Sequence, residues 1–221
     1  MANWLDVTFK SFDGAILSWL HNLALAGGDF FTPLFKIITF LGEKGIIFFA
    51  SAIILMLFKN TRKLGICMFG SVCVGAIITN FILKDVICRL RPFENSSTYN
   101  EWWTTVGRPY EDGYSFPSGH VTAIASAMTA MFILCNKKWS YVGFFGVIIM
   151  AISRCYLMAH YPTDVIFAIL VGVISGVVAY FITKLIYCLL NKYRDKKAFD
   201  FILNFSITNL FIKPIKKDVE D

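Results

Sequence analysis

The stretch Ser115-Phe116-Pro117-Ser118-Gly119-His120 sets a hydroxyl, a glycine and an imidazole directly before an apolar run, Val121 to Leu134. Such a run is helical, so Ser118, Gly119 and His120 fall at a helix N-terminus. Unpaired backbone N–H groups and the positive end of the helix dipole favour an anion there. Gly119 permits close backbone approach, and His120 titrates near neutral pH. This is chemistry for a phosphate seat with a proton donor or acceptor beside it. Simple helix capping by Ser118 is the plainer alternative.

Two further segments carry groups of matching kind. Lys84 and Arg91 stand seven residues apart at the end of another apolar run, a spacing that puts both on one helical face. Pro92 is expected to end that helix at Arg91 and free its guanidinium. Arg154 closes a later run, His160 follows it, and Asp164 opens the next, with Pro162 suited to a first helical turn. Arginine offers a fork of donors to phosphate oxygens, and lysine a point charge. Snorkelling anchors for lipid headgroups would account for Lys84 and Arg91, but not for two histidines or for Asp164 four residues after His160. A carboxylate on an imidazole fixes its tautomer, the logic of a catalytic triad. Glu94, Glu111 and Asp112 are expected to be solvated loop charges, and His21 to sit on a polar face without a role.

The elements that position these groups are apolar. Of 221 residues, 57% are hydrophobic and 16% charged, against about a quarter charged in soluble domains; mean hydropathy is +0.62. Several runs approach the roughly 20 residues that a spanning helix needs. The fold class is therefore all-α: a polytopic membrane bundle with about five core transmembrane helices plus amphipathic N-terminal helices. The net charge of +6 comes from Lys and Arg at the ends of apolar runs, which suits membrane orientation rather than nucleic acid. Six scattered cysteines show no metal-ligand spacing and read as packing residues. Asp6, Lys10 and Asp13 interrupt the first apolar stretch, so no signal peptide is expected there.

In chain order, residues 1–41 read as two amphipathic helices broken at Gly27-Gly28, with a single kinked span as the alternative. Residues 42–190 form the transmembrane core, with spans near 45–58, 64–83, 119–134, 141–158 and 163–190. Gly65, Gly70 and Gly75 permit close helix packing. Residues 93–116 read as a polar loop whose aromatics anchor at the interface or shape a lipid entrance. Residues 191–221 are a basic tail, amphipathic over 198–215. The turns at 59–63 and 136–138 and the tail are rich in Lys and Arg. The positive-inside rule makes them cytoplasmic and turns the candidate site to the extracytoplasmic side of the cell membrane.

Lys84-x6-Arg91-Pro92, Pro117-Ser118-Gly119-His120 and Ser153-Arg154-x5-His160-x3-Asp164 resemble the three ordered motifs of the type 2 phosphatidic acid phosphatase (PAP2) superfamily, with no departure at the motif positions. The resemblance covers about residues 84–164 and implies a membrane lipid phosphatase. It implies that His160 attacks phosphorus, Asp164 orients it, and His120 serves as acid and then base. Lys84, Arg91, Ser118, Gly119 and Arg154 would hold the phosphate oxygens. No metal or other cofactor is expected, since the cations supply the charge. The implied partners are membrane lipids and a lipid phosphate or diphosphate, first of all undecaprenyl diphosphate. Phosphatidic acid and phosphatidylglycerol phosphate are the alternatives. A non-catalytic lipid-phosphate binder or transporter, or an enzyme of soluble phosphates, are the rival classes.

Overall fold

The computed structural model describes residues 1–135 and 137–210, and the part of the expected amphipathic tail from 211 onward lies outside them. Among the described residues the elements are helical: α1 (Ala2–Thr8), α2 (Lys10–Leu41), α3 (Ile46–Met56), α4 (Arg62–Ala76), α5 (Lys84–Ile87), α6 (Pro92–Asn95), α7 (Ser97–Thr105), α8 (Gly119–Leu134), α9 (Lys137–Tyr156), α10 (Pro162–Lys192) and α11 (Lys197–Asn204). A π-helical turn, Ile77–Leu83, joins α4 to α5. Three helical stretches are long and apolar enough to cross a bilayer, Lys10–Leu41, Arg62–Asn95 and Pro162–Lys192; three shorter apolar helices accompany them. This is a membrane helix bundle.

Helices α4, α8 and α10 form its centre. Lipid gives little drive for helix association, so packing depends on small residues that let backbones approach. A Cβ on Gly172 of α10 would lie 2.5 Å from the Ala125 Cβ of α8, and one on Gly65 of α4 would lie 2.6 Å from the Ala52 carbonyl of α3. Gly75 likewise meets α8, whereas Gly70 makes only ordinary contact with Ala179.

After the short α1, the N-terminal region is one 32-residue helix with non-helical angles at Gly27, so the expected break is a kink. Its second half is fastened to α9. Thr32 Oγ1 lies 2.8 Å from the Tyr156 hydroxyl, and the Ser153 hydroxyl donates to the Phe35 carbonyl at 2.9 Å. His21 is not on a solvated face; its ring stacks on Trp102 at 4.6 Å. Residues 93–116 are likewise more ordered than a loop. Trp103 stacks on Phe93 at 4.3 Å and Tyr99 packs on Trp102 and Tyr161, so the aromatics bind α7 to the bundle.

At the opposite end, Arg62 donates to the carbonyls of Ile202 and Phe205, and Lys59 donates to Asn204 Oδ1 at 2.9 Å. The basic turn and the start of the tail therefore share one end, away from the motif residues.

Candidate active site

Lys84, Arg91, Gly119, His120 and His160 line a single cavity of about 520 Å³. Three segments far apart in sequence meet there because α5 and α9 end, and α8 begins, at the same level. Ser118 is the N-cap of α8 but makes no side-chain capping bond, so the plain capping role is not what holds it there. Its hydroxyl is buried without a protein partner, as are His120 Nε2 and the Nε and Nη1 atoms of Arg154. Buried donors ordinarily have partners. Together these atoms and the first amides of α8 are suited to an oxyanion.

His160 lies in the turn between α9 and α10 and is 2% exposed. Its Nδ1 is 2.7 Å from the Ser115 carbonyl oxygen. A carbonyl only accepts, so Nδ1 carries the proton and Nε2 keeps a lone pair. Burial first, then the charges of Arg91, Arg154 and Lys84 and the neighbouring His120, hold its pKa well below the ordinary imidazole range. The ring is therefore neutral at pH 7, the form a nucleophile requires.

The expected direct bond from Asp164 to this ring is absent. Their separation is 3.9 Å, too long for a hydrogen bond though close enough for Coulomb attraction to a charged ring. The carboxylate is instead turned to other donors. It accepts from the Ser115 hydroxyl, from the Tyr161 amide at 2.9 Å, and from Arg89 Nη1 at 2.6 Å. Ser115 thus stands between the two groups, with its carbonyl on the imidazole and its hydroxyl on the carboxylate. Arg89, 1% exposed, carries no motif signature. The sequence-level trace of it is the pair of acids in the apolar N-terminus, Asp6 and Asp13, both of which it binds.

Lys84 and Arg91 do not share one helical face. Cys88 adopts left-handed angles, φ 52°, and ends α5 three residues before Arg91. Nor is the Arg91 guanidinium free: it donates to the carbonyls of Gly113, Ala159 and Asp112 at 3.0, 2.8 and 2.6 Å. It clamps two loops beneath the cavity while presenting its remaining edge. Glu94 and Asp112 are exposed as expected, although Glu94 also has a structural part, whereas Glu111 is not a solvated bystander. Glu94 accepts from the Arg91 amide at 3.0 Å in a capping arrangement. Glu111 accepts from Arg154 Nη2 and lies 3.4 Å from Arg91 Nη1, so one carboxylate bridges two of the motif arginines. Asn80, on the π-helical turn, also lines the cavity. Such turns re-aim the residues beyond them and recur at functional sites.

The PAP2 superfamily is matched over residues 63–187, and the chain belongs to it. Over 120 residues it is 32% identical to an undecaprenyl-diphosphatase of Sulfolobus acidocaldarius, covering 54% of this chain and 55% of that one. It is 29% identical over 127 residues to a lipid A 4'-phosphatase of Porphyromonas gingivalis, covering 55% of this chain and 53% of that protein. The match thus spans only about half the length of either relative. The crystal structure of a transmembrane PAP2-type phosphatidylglycerolphosphate phosphatase from Bacillus subtilis superposes with a TM-score of 0.60. It does so at 23% identity, over 85% of this chain and 90% of that one, and so shares the fold.

Because Glu111 holds the same guanidinium groups that an incoming phosphate would use, the two would compete. Glu111→Gln is expected to tighten binding of inorganic phosphate or vanadate roughly tenfold, the value of about one charged hydrogen bond. Unchanged or weaker binding by calorimetry would contradict the competition.

Proposed function

We propose that the chain is a membrane lipid phosphatase that passes the phosphoryl group through His160. The observation that carries this reading is the pairing of two imidazoles that line one cavity, His120 half-buried and His160 buried with Nδ1 held as the protonated nitrogen. The Nε2 lone pair of His160 forms a bond to phosphorus as the bond to the lipid-side oxygen breaks. His120 gives that oxygen its proton. The imidazole becomes cationic, and the Ser115 carbonyl and the Asp164 charge stabilise it. His120 then takes a proton from water, the water oxygen bonds to phosphorus, and the P–N bond breaks to release inorganic phosphate. Lys84, Arg154, the cavity-facing side of Arg91, the Ser118 hydroxyl and the Gly119 amide hold the equatorial oxygens. The cations supply charge that a metal provides elsewhere, and no metal or cofactor is assigned a step.

A lipid diphosphate, with undecaprenyl diphosphate first, is the substrate class we favour. Beside the polar residues, Phe49, Val72, Ala76 and Ala123 give the cavity an apolar wall. That pairing suits a headgroup at the bilayer surface with a hydrocarbon chain below it. A phosphate monoester such as phosphatidic acid or phosphatidylglycerol phosphate is the second reading. It is favoured by the fold shared with the Bacillus subtilis phosphatase.

Phosphate release should be measured in detergent from undecaprenyl diphosphate, phosphatidic acid, phosphatidylglycerol phosphate and a soluble sugar phosphate, each with and without EDTA. The expected result is release from the prenyl diphosphate, unaffected by EDTA, blocked by vanadate, and lost in His160→Ala and His120→Ala but retained in His21→Ala. Turnover by His160→Ala would eliminate the covalent route, and release only from the soluble ester would eliminate the lipid class.

The low pKa of His160 fixes the sign of the pH response. Since the neutral ring attacks, kcat/KM falls as acid protonates it, and that acid limb lies below the ordinary imidazole range. Removing a cation in Arg154→Gln raises the pKa and is expected to move the limb to higher pH. A limb that stays in place or moves the other way would contradict the assignment.

The charge pattern supports an extracytoplasmic site and a cytoplasmic tail. Tyr110, 87% exposed at the cavity mouth, reports on this. In a cysteine-free background, Tyr110→Cys is expected to react with a membrane-impermeant maleimide in intact cells. Labelling only after lysis would reverse the orientation.

A further inference from the structure

Behind His160 lies a buried charge cluster that shares only Asp164 with the three motifs. Four of the five N–H donors of the Arg89 guanidinium are used. Nε donates to Asp6 Oδ1 at 2.8 Å, Nη2 to Asp13 Oδ2 at 2.9 Å, and Nη1 to Asp164 Oδ1 at 2.6 Å and the Thr163 hydroxyl at 2.8 Å. Its plane lies 3.8 Å from the centre of the Tyr161 ring. Asp13 reaches across from α2 to the first turn of α10. It accepts the Thr163 amide at 2.9 Å and the Thr163 hydroxyl at 2.8 Å, and so caps that helix from another element. Asp13 and Asp164 are 2% and 0% exposed. Carboxyl groups this dry are costly to bury without close partners.

Arg89 also grips Ser115 by its main chain, because the Ser115 amide donates to the Arg89 carbonyl at 2.7 Å. Its side chain holds Asp164, and Asp164 in turn accepts the Ser115 hydroxyl. The Ser115 carbonyl that receives the His160 Nδ1 proton is thus fixed from both sides by one residue. The acids that seat Arg89 come from residues 1–41, outside the stretch matched to the family.

We infer that Arg89, seated on Asp13 and Asp6 of the N-terminal helices, is a positioning residue for the attacking imidazole. It acts through Asp164 and Ser115 to lock the tautomer and aim of His160. The N-terminal helices thereby complete the catalytic apparatus instead of only enlarging the bundle. This rests on the phosphoryl-transfer reading for its kinetic consequence, but its effect on the ring does not depend on any substrate.

The test uses the full chain in detergent, labelled with 15N-histidine. The chain has only three histidines, and His160→Gln assigns the signal. Wild-type His160 is expected to show a single tautomer with Nδ1 protonated. Asp13→Asn and Arg89→Lys are expected to give a mixture of tautomers, and kcat is expected to drop by about 10–100-fold, the range for loss of a supporting hydrogen-bond partner. KM should stay within about twofold. Asp6→Asn should have a smaller effect, since Asp6 is the partly exposed member. If Arg89→Lys does not fold, Asp13→Asn keeps the shape and carries the same comparison. Wild-type tautomer and kcat in folded Asp13→Asn would overturn the inference, as would a rise in KM with kcat unchanged. If the wild type released phosphate from none of the lipids while the tautomer still changed in the variants, the phosphatase reading would fail and the positioning role would stand.

Discussion

A carboxyl group sealed from water must be met by hydrogen-bond partners, and Asp164 is met from three directions. The Ser115 hydroxyl, the Tyr161 amide and the Arg89 guanidinium each belong to a different part of the chain. Satisfying that one buried carboxyl brings the turn before α10, the loop before α8 and the segment after α5 into register. The His160 imidazole, whose Nδ1 is bonded to the same Ser115, takes its direction from this junction. The direction of the ring is therefore set one layer behind the residues that line the cavity.

The two faces of the site are electrically opposite. On the cavity side stand Lys84 and Arg91, with Glu111 bridging Arg91 to the fully buried Arg154. Behind the imidazole a single guanidinium faces three carboxylates, Asp6, Asp13 and Asp164. A ring placed between them is kept neutral by burial and by the cations in front, while the charge it would gain on attack is favoured by the acids behind. In a low-dielectric interior such an arrangement has far more effect than it would in water.

Much of this was legible in the sequence, and for a consistent physical reason. Lys84, Arg91, His120, Arg154, His160 and Asp164 stand out because a charged or titratable group at the end of an apolar run is costly unless it is used. The helices could be read from the same runs, and the break at Gly27 from its glycine pair. What could not be read depended on tertiary contact. Asp13 meets Thr163 across 150 positions and Arg89 across 76, separations at which no local pattern exists. The end of α5 at Cys88 follows from a left-handed residue that is not glycine, so periodicity carried the helix on to Arg91. Ser115 was in view from the outset, but its part is played by its carbonyl as well as its hydroxyl, and a sequence shows only side chains.

The central claim is that phosphorus is bonded for a time to the Nε2 atom of His160. Rapid quenching of turnover with a 32P-labelled lipid diphosphate into alkali, where a phosphohistidine survives while a phosphoserine is lost, tests it directly. The account requires label on the wild-type chain, mapped to the peptide holding His160 and absent from His160→Ala. Steady turnover with no trapped label at any quench time, or label on another residue, would contradict it.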